Sequence, residues 1–296
     1  MGACEVTELY ERYKNLLFQL AYQLTGSVCD AEDAVQDVFI KLQRVDPARL
    51  QEPKAYLCKM MTNHCYDLLK SARKRREQYI GPWLPEPLQM NAEDVFEAII
   101  RGELLSYAML ALLERLSPAE RAVFVLREAL SFDYAAIAEI TGKSEMNCRK
   151  LLSRARGKMG VSEQELAGAG AVSDEWAQQF LAALSEGKVD TVLSMLAEDA
   201  MLLSDGGGKV SAAIRPIQTS EHVARFLLGI IRKAGEGEDD RFSIEIKQLN
   251  GQTTIMFRQQ ARITSAVFLH MKNKLLQNIY IIRNPDKLER MNQQAL

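Results

Sequence analysis

The chain of 296 residues sets 37 Lys and Arg against 39 Asp and Glu, a formal net charge of −2, with 47% hydrophobic and 26% charged residues. That composition excludes wholesale disorder, and no apolar run approaches the roughly 18 residues of a membrane span. The start, MGACEVTELYERYK, lacks the basic residues and apolar stretch of a signal peptide, and Val6 stands where a myristoylation signal needs Ser or Thr. The length predicts two or three compact units, and near-neutrality, taken as a total, counts against a nucleic-acid binder.

Residues 5–76 read as helices. Leu9, Tyr13, Leu16, Leu17 and Leu20 recur at helical spacing. The turn TGSVCD leads into a second helix over 31–44, with Asp30 as N-cap and Ala34, Val35, Val38, Phe39 and Leu42 as its apolar stripe. Asp46-Pro47 ends it, and Pro53 opens a third helix running to about Arg76. Residues 77–103 change character: Pro82, Pro85 and Pro87 in GPWLPEP forbid a helix interior and read as an extended, semi-rigid linker. Trp83 there is large and apolar enough to need a docking surface.

Residues 104–158 return to helix. Ser117-Pro118-Ala119-Glu120 is a helix start with a capping-box pattern. A short helix carrying Ala135, Ile137, Ala138 and Ile140 is followed by the turn Thr141-Gly142-Lys143. Ser144 then caps a second helix whose apolar residues are Met146, Leu151, Leu152 and Met159. This is either a helix-turn-helix, whose second helix enters the major groove, or an ordinary helical hairpin. Residues 159–172, rich in Gly and Ala, read as a second linker. From 173 the pattern becomes α+β. One amphipathic helix carries Trp176, Phe180, Leu181 and Leu184, and another Val192, Leu193 and Leu196. Strands follow at 201–203, 243–249, 254–258, 263–269 and 276–283, with Asn250-Gly251 as a hairpin turn. A run of antiparallel strands after helices predicts a curved sheet with helices on one face.

Resolved by position, the charge is not neutral. KSARKRR at 70–76 and RKLLSRARGK at 149–158 each hold five bases and no acid, whereas residues 77–145 hold twelve acids and five bases. Two cationic patches are the footprint of phosphate contacts, or else two solvated helix faces. Asn63, Asp67 and Lys70 make one polar stripe beside the rings of Tyr56, His64 and Tyr66, an arrangement that suits single-stranded nucleic acid. The five cysteines, Cys4, Cys29, Cys58, Cys65 and Cys148, and the three histidines have no zinc spacing. They read as small buried side chains in a reducing cytoplasm, with no metal and no cofactor expected. DGGGK at 205–209 is not a Walker loop, because Leu203 and Val210 occupy positions that need Gly and Ser or Thr. It is either a glycine-rich turn or a loop built for close approach of a partner.

Three of these segments resemble, in order and spacing, the extracytoplasmic-function sigma factors of bacteria. DAEDAVQDVFIKL resembles the family's polymerase-binding helix, NHCYDLLKSARKR its −10 helix, and residues 116–158 its −35-binding helix-turn-helix. GPWLPEP, DGGGKV and NPDKL further resemble the subgroup with a C-terminal SnoaL-like (NTF2-like) domain. Lys70, where the family usually has Arg, and the stretch AGEGEDDRF depart from the pattern.

The resemblance implies a multidomain chain. A region 2 helical bundle at 1–76 and a region 4 helix-turn-helix at 104–158, both all-α, would precede an α+β SnoaL/NTF2-like cone at 173–296. It implies binding to core RNA polymerase through Asp33, Gln36 and Asp37. The melted −10 strand would be held by Asn63, Tyr66, Asp67, Lys70 and Arg73. The −35 duplex would meet Ser144, Asn147, Arg149, Lys150, Ser153 and Arg154. Regulation in cis would run through Trp83, Leu84, Pro85, Asp205, Gly206, Gly207, Gly208, Lys209, Asn284, Pro285 and Asp286. No membrane partner and no catalysis are expected: Asp205, His222 and His270 are the only acid–base candidates, and their spacing makes no dyad. A small-molecule ligand in the cone stays open. The alternative is a helix-turn-helix regulator with a ligand-binding or enzymatic C-terminal domain, which would leave residues 30–76 unexplained.

Overall fold

The computed structural model describes residues 3–46, 50, 52–89, 105–160, 172–235 and 242–293. They fall into two compact units. The first contains the helices up to residue 77 and those from 109 to 160. The second contains the C-terminal domain together with residues 78–89 and 106–108.

In the first unit, α1 (Ala3–Thr25), α2 (Val28–Leu42) and α3 (Pro53–Glu77) pack around Leu17, Leu20, Leu24, Val38, Leu57 and Met61. Gly26 sits at φ 71 and stops α1, and Ser27 caps α2 by accepting from the Asp30 amide at 3.3 Å. The cap therefore lies three residues before Asp30, because the left-handed glycine ends the first helix abruptly and the next residue can restart it. Cys58 and Cys65 are buried on one face of α3, and burial pushes both thiols up to about 12. Cys148 is also buried, but Cys29 is exposed, against the expectation for all five.

After α4 (Tyr107–Leu113), α5 (Pro118–Phe124) opens with the complete capping box: Glu120 Oε2 accepts from the Ser117 amide at 2.9 Å. It runs into one wide π turn, Val125–Ala129. Arg121 is buried; its guanidinium donates to the carbonyls of Leu24 and Leu113 and pairs with Glu114 at 2.8 Å. It thereby ties α5 to the end of α1. Next come α6 (Tyr134–Thr141), Gly142 at φ 65, and α7 (Glu145–Met159), capped by Ser144. A Cβ at Gly142 would meet nothing within 4 Å, so glycine is there for its dihedral. Met146, one of the apolar residues of this helix, is exposed.

In the second unit, α8 (Asp174–Ser185), α9 (Val189–Met195) and α10 (Ser220–Gly235) accompany a six-stranded sheet ordered β2-β1-β6-β5-β4-β3. Its strands are β1 (Leu196–Asp205), β2 (Ile217–Gln218), β3 (Phe242–Leu249), β4 (Gln252–Gln259), β5 (Arg262–Lys272) and β6 (Leu275–Ile282). All neighbours are antiparallel except β1 and β6, which run parallel because helix and strands intervene between them. The sheet is open, with β2 and β3 as edges; a curved sheet forming a cone was expected. Helix α10, not foreseen, buries Val223, Ala224 and Leu227 against the same core as Phe180, Ile255, Val267 and Ile281. His270, expected in a turn, lies within β5. A last helix, α11 (Pro285–Gln293), was read only as a motif; Asn284 caps it, accepting from the Asp286 amide at 3.1 Å.

Asn250-Gly251 has both central residues at positive φ, the geometry that matches strand twist. Gln260-Ala261 and Asn273-Lys274 do the same without glycine. Of the second linker, residues 161–171 lie outside the described residues, as do 90–103 of the first.

Glu120 serves the cap and also receives Lys158 at 2.7 Å. Burial alone would raise its pKa, but Lys158 and Ser117 together hold it below the ordinary value. Its contribution is then present above the unfolded carboxylate pKa and lost as pH falls through the lower folded value. Glu120→Ala is expected to destabilise the helical unit by about 1–2 kcal/mol at pH 7. Urea curves of variant and parent, followed by far-UV circular dichroism, should converge as the pH is taken below the lowered folded value of Glu120.

Candidate functional site

The first unit carries three exposed faces. On α2, Asp33, Gln36 and Asp37 are exposed at i, i+3 and i+4, and Ile40, also exposed, extends the stripe by one turn. Ile40 was missed, although an apolar residue in register with three polar ones was readable. Asp37 lies 3.6 Å from His64 Nε2 on α3, and Lys41 lies 3.2 Å from His64 Nδ1.

On α3, Asn63, Asp67 and Lys70 are exposed on one face, and Lys70 bonds Asp67 at 3.0 Å. This hydrogen bond and charge hold the Asp67 carboxyl below its usual range. Tyr66 does not join them. Its hydroxyl is buried with no partner among the described residues, and burial raises it to about 12. The Arg73 side chain lies outside the described residues.

On α7, Ser144, Asn147, Arg149, Lys150, Ser153 and Arg154 are all exposed, opposite a buried face of Cys148, Leu152, Ala155 and Met159. The basic cluster is not uniform. Arg156 pairs with Glu128 at 2.8 Å and Lys158 with Glu120, so both hold the unit together. Arg149 pairs with Glu145 at 3.0 Å and lies over the Tyr134 ring at 4.1 Å. Lys150 and Arg154 have no ion pair among the described residues and are the cations most available to phosphate.

The second unit places the residues of three distant motifs around one carboxylate. Ser204 and Asp205 end β1, and alternation along the strand turns Ser204 to the helix-covered face and Asp205 to the other. Asp205 is fully buried. Its Oδ1 accepts from the Tyr79 hydroxyl at 2.6 Å and from the Gly207 amide at 3.0 Å. Its Oδ2 accepts from the Leu84 amide at 2.9 Å and from Lys287 Nζ at 2.7 Å. Lys287 also donates to the Leu84 carbonyl and lies over the Trp83 ring at 3.8 Å. Burial and the Asp205 carboxylate push the Tyr79 phenol up, against the lowering effect of Asn284, whose amide donates to that oxygen at 2.8 Å.

The glycines beside Asp205 leave no room for a side chain. A Cβ on Gly206 would come within 2.5 Å of the Val210 carbonyl, one on Gly207 within 2.5 Å of the Asn284 amide, and one on Gly208 within 2.8 Å of Ile80. Lys209 reaches exposed Asp286 at 2.6 Å, and Pro285 is exposed.

Further along, Leu88 and Asn250 exchange hydrogen bonds. The Leu88 amide donates to Asn250 Oδ1 at 2.9 Å and the Asn250 amide to the Leu88 carbonyl at 2.8 Å. Tyr107 donates its hydroxyl to the carbonyl of buried Pro85 at 2.6 Å and stacks on Phe268 with centroids 3.7 Å apart. Residues 79–88 and 107 therefore cover the sheet face opposite α8 and α10. Lys287, Tyr79 and Tyr107 were missed. Lys287 stood in the quoted NPDKL, but its partner could not be read before the strand register was known.

No described helix is long and apolar enough to cross a membrane, and no three metal-ligating side chains gather among the described residues.

Comparison with known proteins accounts for the two helical segments. Residues 9–75 match Sigma-70 region 2, and residues 106–159 match Sigma-70, region 4. The chain is 36% identical over 236 residues to the ECF RNA polymerase sigma factor SigJ of Mycobacterium tuberculosis, covering 79% of this chain and 75% of that one. It is 32% identical over 193 residues to the probable ECF sigma factor SigI of the same species, covering 64% and 67%. The crystal structure of M. tuberculosis SigJ superposes with a TM-score of 0.75 at 28% identity, covering 96% of this chain and 98% of that one. With both sigma-70 regions in order and a relative alike across three quarters of its length, the chain belongs to the extracytoplasmic-function RNA polymerase sigma factors, which act in transcription initiation.

Proposed function

We propose that this chain binds core RNA polymerase and directs promoter recognition, and that its C-terminal domain, read as SnoaL-like, regulates it in cis by holding the segment that joins regions 2 and 4. The polymerase-facing residues are Asp33, Gln36 and Asp37, with Ile40 as an apolar anchor. Asn63, Asp67, Lys70 and Arg73 hold the melted −10 strand, and α7 reads the −35 duplex, all in the cytoplasm. Tyr66 serves the −10 strand only after its buried hydroxyl is released, so the packed helical unit is the resting form. The observation that carries the cis-regulatory reading is the Asp205 carboxylate, which takes two hydrogen bonds from the joining segment.

We read the C-terminal domain as non-catalytic. Asp205 is engaged by Lys287 and Tyr79, His222 is exposed against Thr219, and neither they nor His270 lines the domain's large cavity.

The test is transcription by core polymerase plus the full chain on fragmented genomic DNA, with start sites read by sequencing. Defined start sites sharing −35 and −10 elements are expected; no association with core polymerase would overturn the reading.

On a −35 duplex taken from those sites, replacing both Lys150 and Arg154 with Ala should weaken binding. It should also reduce the slope of log K against log salt by about 2. Arg156→Ala should leave the slope unchanged, because that side chain is committed to Glu128. An unchanged slope in the Lys150/Arg154 variant would count against both phosphate contacts.

Trp83 and Asp205 meet through Lys287. A double-mutant cycle of Trp83→Ala and Asp205→Ala, scored by transcript yield, should therefore show a coupling of about 1 kcal/mol or more. Simple additivity would remove the joining segment from the regulatory mechanism.

A further inference from the structure

The face of the sheet turned away from the joining segment bounds a cavity of about 860 Å³, within the size range of small-molecule sites. Its floor is a row across four strands: Ile255, Val267, Ile281 and Ser204 are successive partners from β4 to β1. Phe180 on α8 and Leu227 on α10 close it from above. The wall is apolar, yet its charged groups are unbalanced. Arg262 bonds Glu289 at 3.3 Å, which leaves Lys233 and Arg283 without an acidic counterpart among the described residues.

Arg283 is the informative one. It follows the last residue of β6, is half-buried, and is fixed by donation from Nη1 to the Ser211 carbonyl. Burial lowers its pKa from the ordinary arginine value, and it has no ion pair among the described residues.

We propose that this cavity is a binding site for an apolar monocarboxylate, the hydrocarbon body lying among Phe180, Leu227 and the β4–β6 floor and the carboxylate meeting the Arg283 guanidinium. A planar guanidinium matches a carboxylate with two parallel donors, and such a charge-assisted pair is stronger than a neutral hydrogen bond. The apolar body supplies affinity and the single cation selects an anionic head over a neutral one. The assignment stands on the cavity alone and is independent of how the joining segment is regulated.

Isothermal titration of the full chain with decanoate and 2-naphthoate, each against its alcohol (decan-1-ol and 2-naphthalenemethanol), tests it. At least one acid should bind more tightly than its alcohol by about tenfold or more. Arg283→Gln should abolish that preference while leaving the alcohol's affinity in place, which also shows that the cavity is still folded. Arg283→Lys should retain part of the preference. The proposal is overturned if neither acid binds below about 1 mM, a binding free energy near −4 kcal/mol. It is equally overturned if acid and alcohol bind alike, or if Arg283→Gln keeps the preference.

Discussion

The second unit depends on an ion pair that water cannot reach. Asp205 and Lys287 are both buried, 2.7 Å apart, and two charges taken out of water are tolerable only when their remaining lone pairs and protons are satisfied. Besides the Gly207 amide, the satisfying groups are the Tyr79 hydroxyl, the Leu84 amide and carbonyl, and the Trp83 ring, from the segment between the sigma regions. The pair and the segment are therefore stable only together. Docking the segment takes Asp205 and Lys287 out of water, a cost its hydrogen bonds must offset, and lifting it returns both charges to water. A cheap apolar contact would have held the segment without any such threshold.

The sequence was most informative where local chemistry decides the outcome. Ser117 with Glu120, Ser144 after Gly142, and Asn250-Gly251 each announce a helix start or a turn through one side chain and one dihedral, and each was readable. Pro82, Pro85 and Pro87 excluded a helix, and Trp83 implied a surface to dock on. The linker motif and the two C-terminal motifs were legible as one regulatory set, but not their arrangement, because only strand pairing shows that 79–88, 205–208 and 284–287 surround one carboxylate. Helix α10 had a readable period in Val223, Ala224, Leu227 and Ile231. Its neighbours Arg225, Arg232 and Lys233 diluted the signal. The Gln260-Ala261 and Asn273-Lys274 turns carry no glycine and take positive φ only because the flanking strands demand it.

Charge counting met a similar limit in the first unit. Five bases on α7 looked like one phosphate-binding track, yet Arg156 and Lys158 reach back to Glu128 and Glu120 and hold the helical unit together. Tyr66 was placed with Asn63 and Asp67 by proximity in sequence, while its hydroxyl is buried. Both differences have one cause: a helix has several faces, and tertiary partners choose which residues of a cluster remain available.

The docking of residues 79–88 and 107 on the C-terminal sheet also bears on how such chains can be recombined. Tyr107 is the second residue of the region 4 match and Tyr79 follows region 2, yet both find their partners among Phe268, Pro85, Asp205 and Asn284. The region 2 match ends at 75, two residues before the compact units part, but the first three residues of the region 4 match, 106–108, belong with the C-terminal domain. A chimaera that exchanges the C-terminal domain alone would pair a foreign sheet with a native segment and strand Leu84, Leu88 and Tyr107 in water. The unit that can be transplanted intact is the joining segment and the C-terminal domain as one discontinuous cassette.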